Sequence, residues 1–155
     1  MSARAYPGLT RKVLVINGSN LNMLGTREPE LYGRATLEDV RQLCERTATS
    51  LGLEIDFRQS NHEGVLLDWV HEAHALRSAV VINPGAYART SLALHDAVKA
   101  VQVPVIEIHI TNTYQRESYR PPSYLSRAAL GVICGFGIQV YRYGLIAVAD
   151  LMEPA

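Results

Sequence analysis

The sequence predicts an α/β protein built on a five-stranded parallel sheet, and two observations carry that expectation. Short runs rich in β-branched residues, each closed by a polar or glycine-containing stop, alternate with longer stretches whose apolar residues recur at helical spacing. The strand runs are also nearly all apolar instead of alternating, which suits strands covered on both faces of a sheet.

Lys12-Val13-Leu14-Val15-Ile16-Asn17-Gly18 reads as the first strand, its glycine ending the run. After a polar loop, Thr36 and Asp39 form a capping signature around Leu37, Val40, Leu43, Cys44, Thr47 and Leu51 at helical spacing, and Gly52 stops the helix. Residues 54–61 make the second strand, and Asn61 is placed to cap a helix whose apolar face is Leu66, Trp69, Val70 and Ala73. Residues 79–85 form a third strand that Pro84-Gly85 ends. Thr90 or Ser91 opens the next helix through Leu94, Ala97, Val98 and Val101. Residues 104–110 are the fourth strand, residues 131–136 the fifth, and residues 141–152 the final helix. Right-handed crossovers pack helices on both faces of such a sheet. The expected architecture is therefore a three-layer α/β/α sandwich with the flavodoxin-like strand order 2-1-3-4-5.

The 155 residues fit one domain, with residues 1–11 as a flexible N-terminal extension. Hydrophobic residues make up 48% against 19% charged, which excludes a globally disordered chain. Fifteen basic and fifteen acidic side chains cancel, leaving no electrostatic footprint for nucleic acid or an anionic membrane. No apolar segment with a cleavage site follows the basic N-terminal residues, and the apolar stretch 130–149 is broken by Gln139, Arg142 and four glycines. The chain is expected to be cytoplasmic. Cys44 and Cys134 read as buried thiols of a reducing compartment.

In open parallel sheets, ligands bind beyond the carboxyl ends of the strands where strand order reverses. Beyond the first strand lie Asn17-Gly18-Ser19-Asn20-Leu21-Asn22 and then a glycine-containing run through Gly33, which fits either a lid over a site or an ordered surface loop. It lacks both the phosphate-loop ending and the dinucleotide fingerprint, so nucleotide use is disfavoured. Beyond the third strand sit Asn83, Gly85, Ala86, Arg89, Thr90 and Ser91. In the fourth strand Glu107 and His109 are two apart and project to one side, a proton-transfer pair or a structural one. His71 and His74 fall three apart on a helix without a third ligand in register, so no metal is expected. Eight tyrosines leave the choice of a tyrosine base open, but Tyr32 has Arg27 nearby in its loop, and a guanidinium beside a phenol stabilises phenolate.

The ordered motifs Ile16 to Pro29, Gln59-Ser60-Asn61-His62-Glu63-Gly64, Ile82-Asn83-Pro84-Gly85-Ala86-Tyr87 and Val105-Ile106-Glu107-Ile108-His109-Ile110 closely resemble those of the type II dehydroquinases (3-dehydroquinate dehydratases). The resemblance runs from the first strand to the last helix. It implies a hydro-lyase that removes water from 3-dehydroquinate to give 3-dehydroshikimate by anti elimination through an enolate. It also implies trimers packed into dodecamers, and no cofactor. On the resemblance, Tyr32 is the base with Arg27 keeping it ionised, Asn20 holds a water on the enolate oxygen, and His109, oriented by Glu107, protonates the departing hydroxyl. Asn83, Gly85, Ala86, Arg89, Ile110, Thr111, Arg116 and Arg120 match the substrate-binding region, and Asp96 matches a carboxylate reaching a neighbouring subunit's site.

Where most members of that family read Thr-His-Thr-Ser, this chain has Ala88-Arg89-Thr90-Ser91, so a substrate-contacting histidine is replaced by a permanently charged arginine. Ser19 stands for a proline, and Pro121-Pro122 follow Arg120 where histidines are common. Two other readings stay open: a paralogue acting on a modified, for example amino-substituted, dehydroquinate, and a non-catalytic metabolite binder. Retention of a paired base and acid argues against the binder.

Overall fold

A computed structural model of the chain describes residues 6–26 and 28–152. Strands β1 (Lys12–Asn17), β2 (Glu54–Gln59), β3 (Ala79–Asn83), β4 (Val105–His109) and β5 (Gly131–Cys134) form one sheet in the order 2-1-3-4-5, with every pair parallel. Both the strand count and the order match expectation. The strands stop short of the ranges read from sequence because Gly18, Ser60 and Pro84 already belong to the loops that build the crevice.

Helices α2 (Leu37–Leu51) and α6 (Gln139–Met152) cover one face, and α3 (Glu63–Leu76) and α5 (Leu92–Ala100) the other. The pleat of β1 divides its apolar run between the two layers. Val13 and Val15 pack with Val40, Cys44 and Leu145, whereas Leu14 and Ile16 pack with Leu66, Val70 and Leu94. All of these side chains are fully buried, which is why the run is apolar throughout.

Local signals hold at most helix ends. Thr36 and Asp39 cap α2 reciprocally, with Asp39 N donating to Thr36 Oγ1 at 3.2 Å and Thr36 N to Asp39 Oδ2 at 2.9 Å. Ser91 caps α5 through Leu94 N at 2.9 Å. Asn61, expected to cap α3, does not: His62 is the N-cap, and the Asn61 side chain instead accepts from Asn20 N at 2.9 Å and Gln59 Nε2 at 3.1 Å. Two short helices, α1 (Pro29–Tyr32) and α4 (Tyr87–Thr90), sit in segments read from sequence as loops.

Cys44 is fully buried, and burial pushes its thiol up to about 12. Cys134 is only partly buried, contrary to expectation, because β5 is an edge strand. Of the N-terminal extension, residues 1–5 lie outside the described residues. Leu9 packs on the core, Thr10 N donates to Arg77 O at 3.0 Å, and Arg77 Nε donates to Gly8 O at 3.0 Å. His74 Nδ1 accepts from Gln102 N at 3.2 Å, joining α3 to the end of α5. Among the described residues, no helix is long and apolar enough to cross a membrane.

Candidate active site

The crevice forms where the chains leaving β1 and β3 close on one another. Gly18 N donates to Asn83 O at 2.7 Å, and a Cβ on Gly18 would stand 2.3 Å from the Pro84 carbonyl oxygen. Gly85 adopts φ +62°, and a Cβ there would lie 2.8 Å from Ser19 O. Only glycine fits at either position. The close approach turns Asn20, itself left-handed at φ 67°, and Ala86 toward a common cleft.

That cleft and its mouth hold about 600 Å³ of empty space. Asn20 and Tyr32 line it from the loop after β1, and Asn83, Gly85, Ala86 and Arg89 from the turn after β3. His109, Ile110 and Thr111 enter from the end of β4, with Arg116 and Arg120 beyond them. Eleven residues singled out from sequence thus meet in one place. Leu21 and Thr113 complete the lining and were not singled out.

Behind His109 lies Glu107, with no exposed surface. His109 Nε2 is 2.6 Å from Glu107 Oε1, which leaves Nδ1 for the cleft. A buried carboxylate is costly unless hydrogen-bonded. Two further donors satisfy it: Ser123 Oγ to Oε1 at 3.0 Å and Ser126 Oγ to Oε2 at 2.8 Å. Sequence reasoning missed both serines, since nothing local links them to Glu107.

Among the described residues, the arginine that Tyr32 meets is Arg116. Arg116 Nη1 donates to Tyr32 Oη at 3.0 Å and to Thr111 Oγ1 at 3.3 Å, with the guanidinium carbon 5.7 Å from the phenol ring centroid. Arg116, expected among the substrate-binding residues, lines the cleft and is also held by these contacts within its own chain. Burial works against the Arg116 charge, but the contacts with Tyr32 and Glu117 outweigh it and hold the guanidinium above its ordinary value. Arg27 lies outside the described residues.

Glu117 accepts from Arg120 Nε at 2.7 Å and Arg116 Nε at 3.4 Å. Its own backbone amide and these arginines hold its carboxyl at about 2. Arg89 reaches across the cleft mouth, its Nη1 donating to Pro121 O at 2.6 Å, and Tyr124 N donates to Ala88 O at 2.8 Å. Two of the positions read as departures, Arg89 and Pro121, are therefore in direct contact. Asp96 does not line the cleft; its carboxylate is 77% exposed on α5 and lies 2.9 Å from His95 Nδ1. Thr90 and Ser91 are not part of the lining either, and Ser91 acts as a cap.

A sequence profile of the family described as Dehydroquinase class II matches residues 11–149. The chain belongs to this family. It is 57% identical to 3-dehydroquinate dehydratase 1 of Bradyrhizobium diazoefficiens over 141 residues, covering 90% of this chain and 91% of that one. It is 52% identical to 3-dehydroquinate dehydratase 2 of Pseudomonas aeruginosa over 147 residues, covering 95% and 99%. The crystal structure of a type II dehydroquinase from Propionibacterium acnes superposes with a TM-score of 0.88 at 37% identity, covering 92% of this chain and 98% of that one. The class II dehydroquinase fold is thus what brings the loops after β1, β3 and β4 together in this chain.

Proposed function

We propose that this chain dehydrates 3-dehydroquinate to 3-dehydroshikimate by anti elimination through an enolate. The observation that carries the reading is that Tyr32 and His109, a candidate base and a candidate acid from different loops, line one cleft. The Tyr32 phenolate takes the proton beside the ketone, and the electrons of that C–H bond pass into an enolate. Asn20 orients a water on the enolate oxygen, a preorganised donor of the oxyanion-hole kind. The enolate then collapses, the C–O bond to the neighbouring hydroxyl breaks, and His109 supplies the proton with which it leaves as water. The step balances without a metal, a nucleotide or a covalent intermediate.

Glu107 orients the imidazole, and Arg116, with Arg27, stabilises the phenolate. Asn83, Gly85, Ala86, Arg89, Ile110, Thr111 and Arg120 hold the substrate's carboxylate and hydroxyls. The pathway served is the shikimate route or the breakdown of quinate, in the cytoplasm. The chain assembles as trimers packed into a dodecamer, in which the exposed carboxylate of Asp96 reaches a neighbouring copy's cleft.

The experiment follows the ultraviolet absorbance of the product enone after mixing the protein with 3-dehydroquinate, with Tyr32→Phe as the comparison. A rise in the native protein that vanishes in the variant supports the reading. No rise despite measurable binding overturns it.

A further inference from the structure

Asn20 holds a backbone conformation that its neighbours must enforce. It is one of three non-glycine residues in the left-handed region among the described residues, at φ 67° and ψ 2°, and it alone of the three lines the cleft. That region disfavours every residue with a Cβ, asparagine least of all. The Asn20 side chain makes no capping bond to the short 3-10 turn Leu21–Met23 that follows, so its main chain is what fixes it. Its carbonyl accepts from Met23 N at 2.9 Å, and its N–H donates to Asn61 Oδ1 at 2.9 Å. The first bond is local to the turn. The second comes from the loop after β2, 41 positions along the chain.

Asn61 is itself held in place to receive that N–H. Its Oδ1 also accepts from Gln59 Nε2 at 3.1 Å, and because both partners can only donate, the amide must present its oxygen to them. Gln59 is oriented in turn by Gly18 O, which accepts from the same Nε2 at 3.2 Å, while Asn22 Oδ1 stands farther off at 3.5 Å. The main chain around Asn61 is tied from two more sides. Tyr87 Oη, on α4, donates to Asn61 O at 2.6 Å, and Ser60 N donates to Asn17 O, at the end of β1, at 3.0 Å. Asn61 does not line the cleft. It is a strut between the loops after β1, β2 and β3, with its acceptor set on the backbone of a residue that does.

We propose that Asn61 is a positioning residue that holds Asn20 in its left-handed conformation and so keeps it at the cleft wall. The kinetic consequence rests on the function proposed above, in which Asn20 orients a water on the enolate oxygen. Charge develops on that oxygen only after the substrate is bound, so a loosened Asn20 lowers turnover more than affinity.

The test has two arms. In the first, steady-state kinetics on 3-dehydroquinate compare native protein, Asn61→Ala, Asn61→Asp, Asn20→Ala and the double alanine variant. One lost hydrogen bond corresponds to about a tenfold effect, so Asn61→Ala should lower kcat about tenfold with KM changed less than about twofold. Asn61→Asp keeps an acceptor in the same place and should recover most of that loss. The double variant should be no slower than Asn20→Ala alone, because Asn61 acts through Asn20. An aspartate variant as slow as the alanine one, or effects that multiply, would overturn the proposal in favour of a merely structural asparagine. The second arm needs no turnover: amide hydrogen exchange, resolved to single residues by mass spectrometry with electron-transfer fragmentation. In the native protein the Asn20 N–H should exchange at least about tenfold more slowly than an unprotected amide, and Asn61→Ala should remove most of that protection while β1 stays slow. An Asn20 amide unprotected in the native protein defeats the proposal whether or not the variants fold, as does one equally protected in Asn61→Ala. A native protein inactive on 3-dehydroquinate would count against the proposed function, while the exchange rates still decide the inference.

Discussion

Arg116 and Tyr32 stand 84 positions apart in the chain, yet the guanidinium donates to the phenolic oxygen at 3.0 Å. In the proposed reaction that oxygen takes the proton from the substrate, and a cation preorganised beside it serves the chemical step more than binding, so Arg116→Ala should lower kcat by about 10²-fold. Affinity for a competitive, non-reacting substrate analogue should change only a few-fold. Stopped-flow turnover and calorimetric titration of the variant check both halves, and an unchanged kcat would remove Arg116 from the chemistry.

Glu107 depends on the two serines of the segment 123–126 as well as on His109. Removing either hydroxyl leaves a buried carboxylate oxygen short of a donor, a loss of about 1–3 kcal/mol. Ser126→Ala is expected to lower the urea midpoint accordingly and to reduce turnover, since the imidazole loses a fixed partner. A variant with native midpoint and native kcat would show that the serines are dispensable to the pair.

Arg89 is anchored on the Pro121 carbonyl, tying the turn after β3 to the segment that carries Arg116 and Arg120. A hydrogen bond from a charged donor contributes about 1.5–3 kcal/mol, so Arg89→Ala should raise KM roughly tenfold or more. Arg89→His removes the permanent charge while keeping a donor. Inhibition constants for an analogue with an ammonium group in place of a ring hydroxyl should be poor for the native protein and improve in Arg89→His. Equal constants would mean that Arg89 does not read the charge of the ligand.

Cys44 and Cys134 differ in a way that thiol chemistry can read. The Cys44 thiol, pushed up to about 12 by burial and to a lesser degree by Glu45, stays protonated and unreactive in the folded chain. Alkylation at pH 8 should therefore label Cys134 alone until denaturant is added, as mass spectrometry of peptides will show. The sign for stability follows. In the unfolded chain the thiol ionises near 9 and in the folded one near 12, so its contribution is intact below pH 9 and is lost as pH rises toward 12. Cys44→Ala should be less sensitive to alkali over that interval.

The parallel sheet was legible because β1, β3 and β4 announce themselves as apolar runs with polar or glycine stops, and the helices between them are long enough for crossovers only. The Glu107 and His109 pair was legible because strand periodicity alone puts residues two apart on one side. Contacts across long separations were not. Neither the approach of Arg116 to Tyr32 nor that of Ser123 and Ser126 to Glu107 leaves a trace in local spacing. Asn61 misled because an asparagine ahead of a helix is a good cap, and here tertiary structure recruits it to hold the Asn20 backbone instead. Nor was the placement of the Tyr141 hydroxyl legible, which donates to Asn17 Oδ1 at 2.6 Å and accepts from Asn83 Nδ2 at 3.1 Å, because apolar periodicity does not encode the direction of a hydrogen bond.

The strand order also bears on how the molecule comes into being during synthesis. β2 adds to one side of β1, β3 to the other, and β4 and β5 then extend the β3 side in turn. Each strand leaving the ribosome meets a neighbour already made, so the sheet can grow by accretion with no need to open and admit a latecomer. Every residue that lines the cleft has been synthesised by Arg120. Only α6, the last helix described, carries the hydroxyl to which the Asn83 amide donates. A nascent chain stopped before Gln139 would hold all the parts of the cleft and still lack its finished hydrogen-bonding pattern.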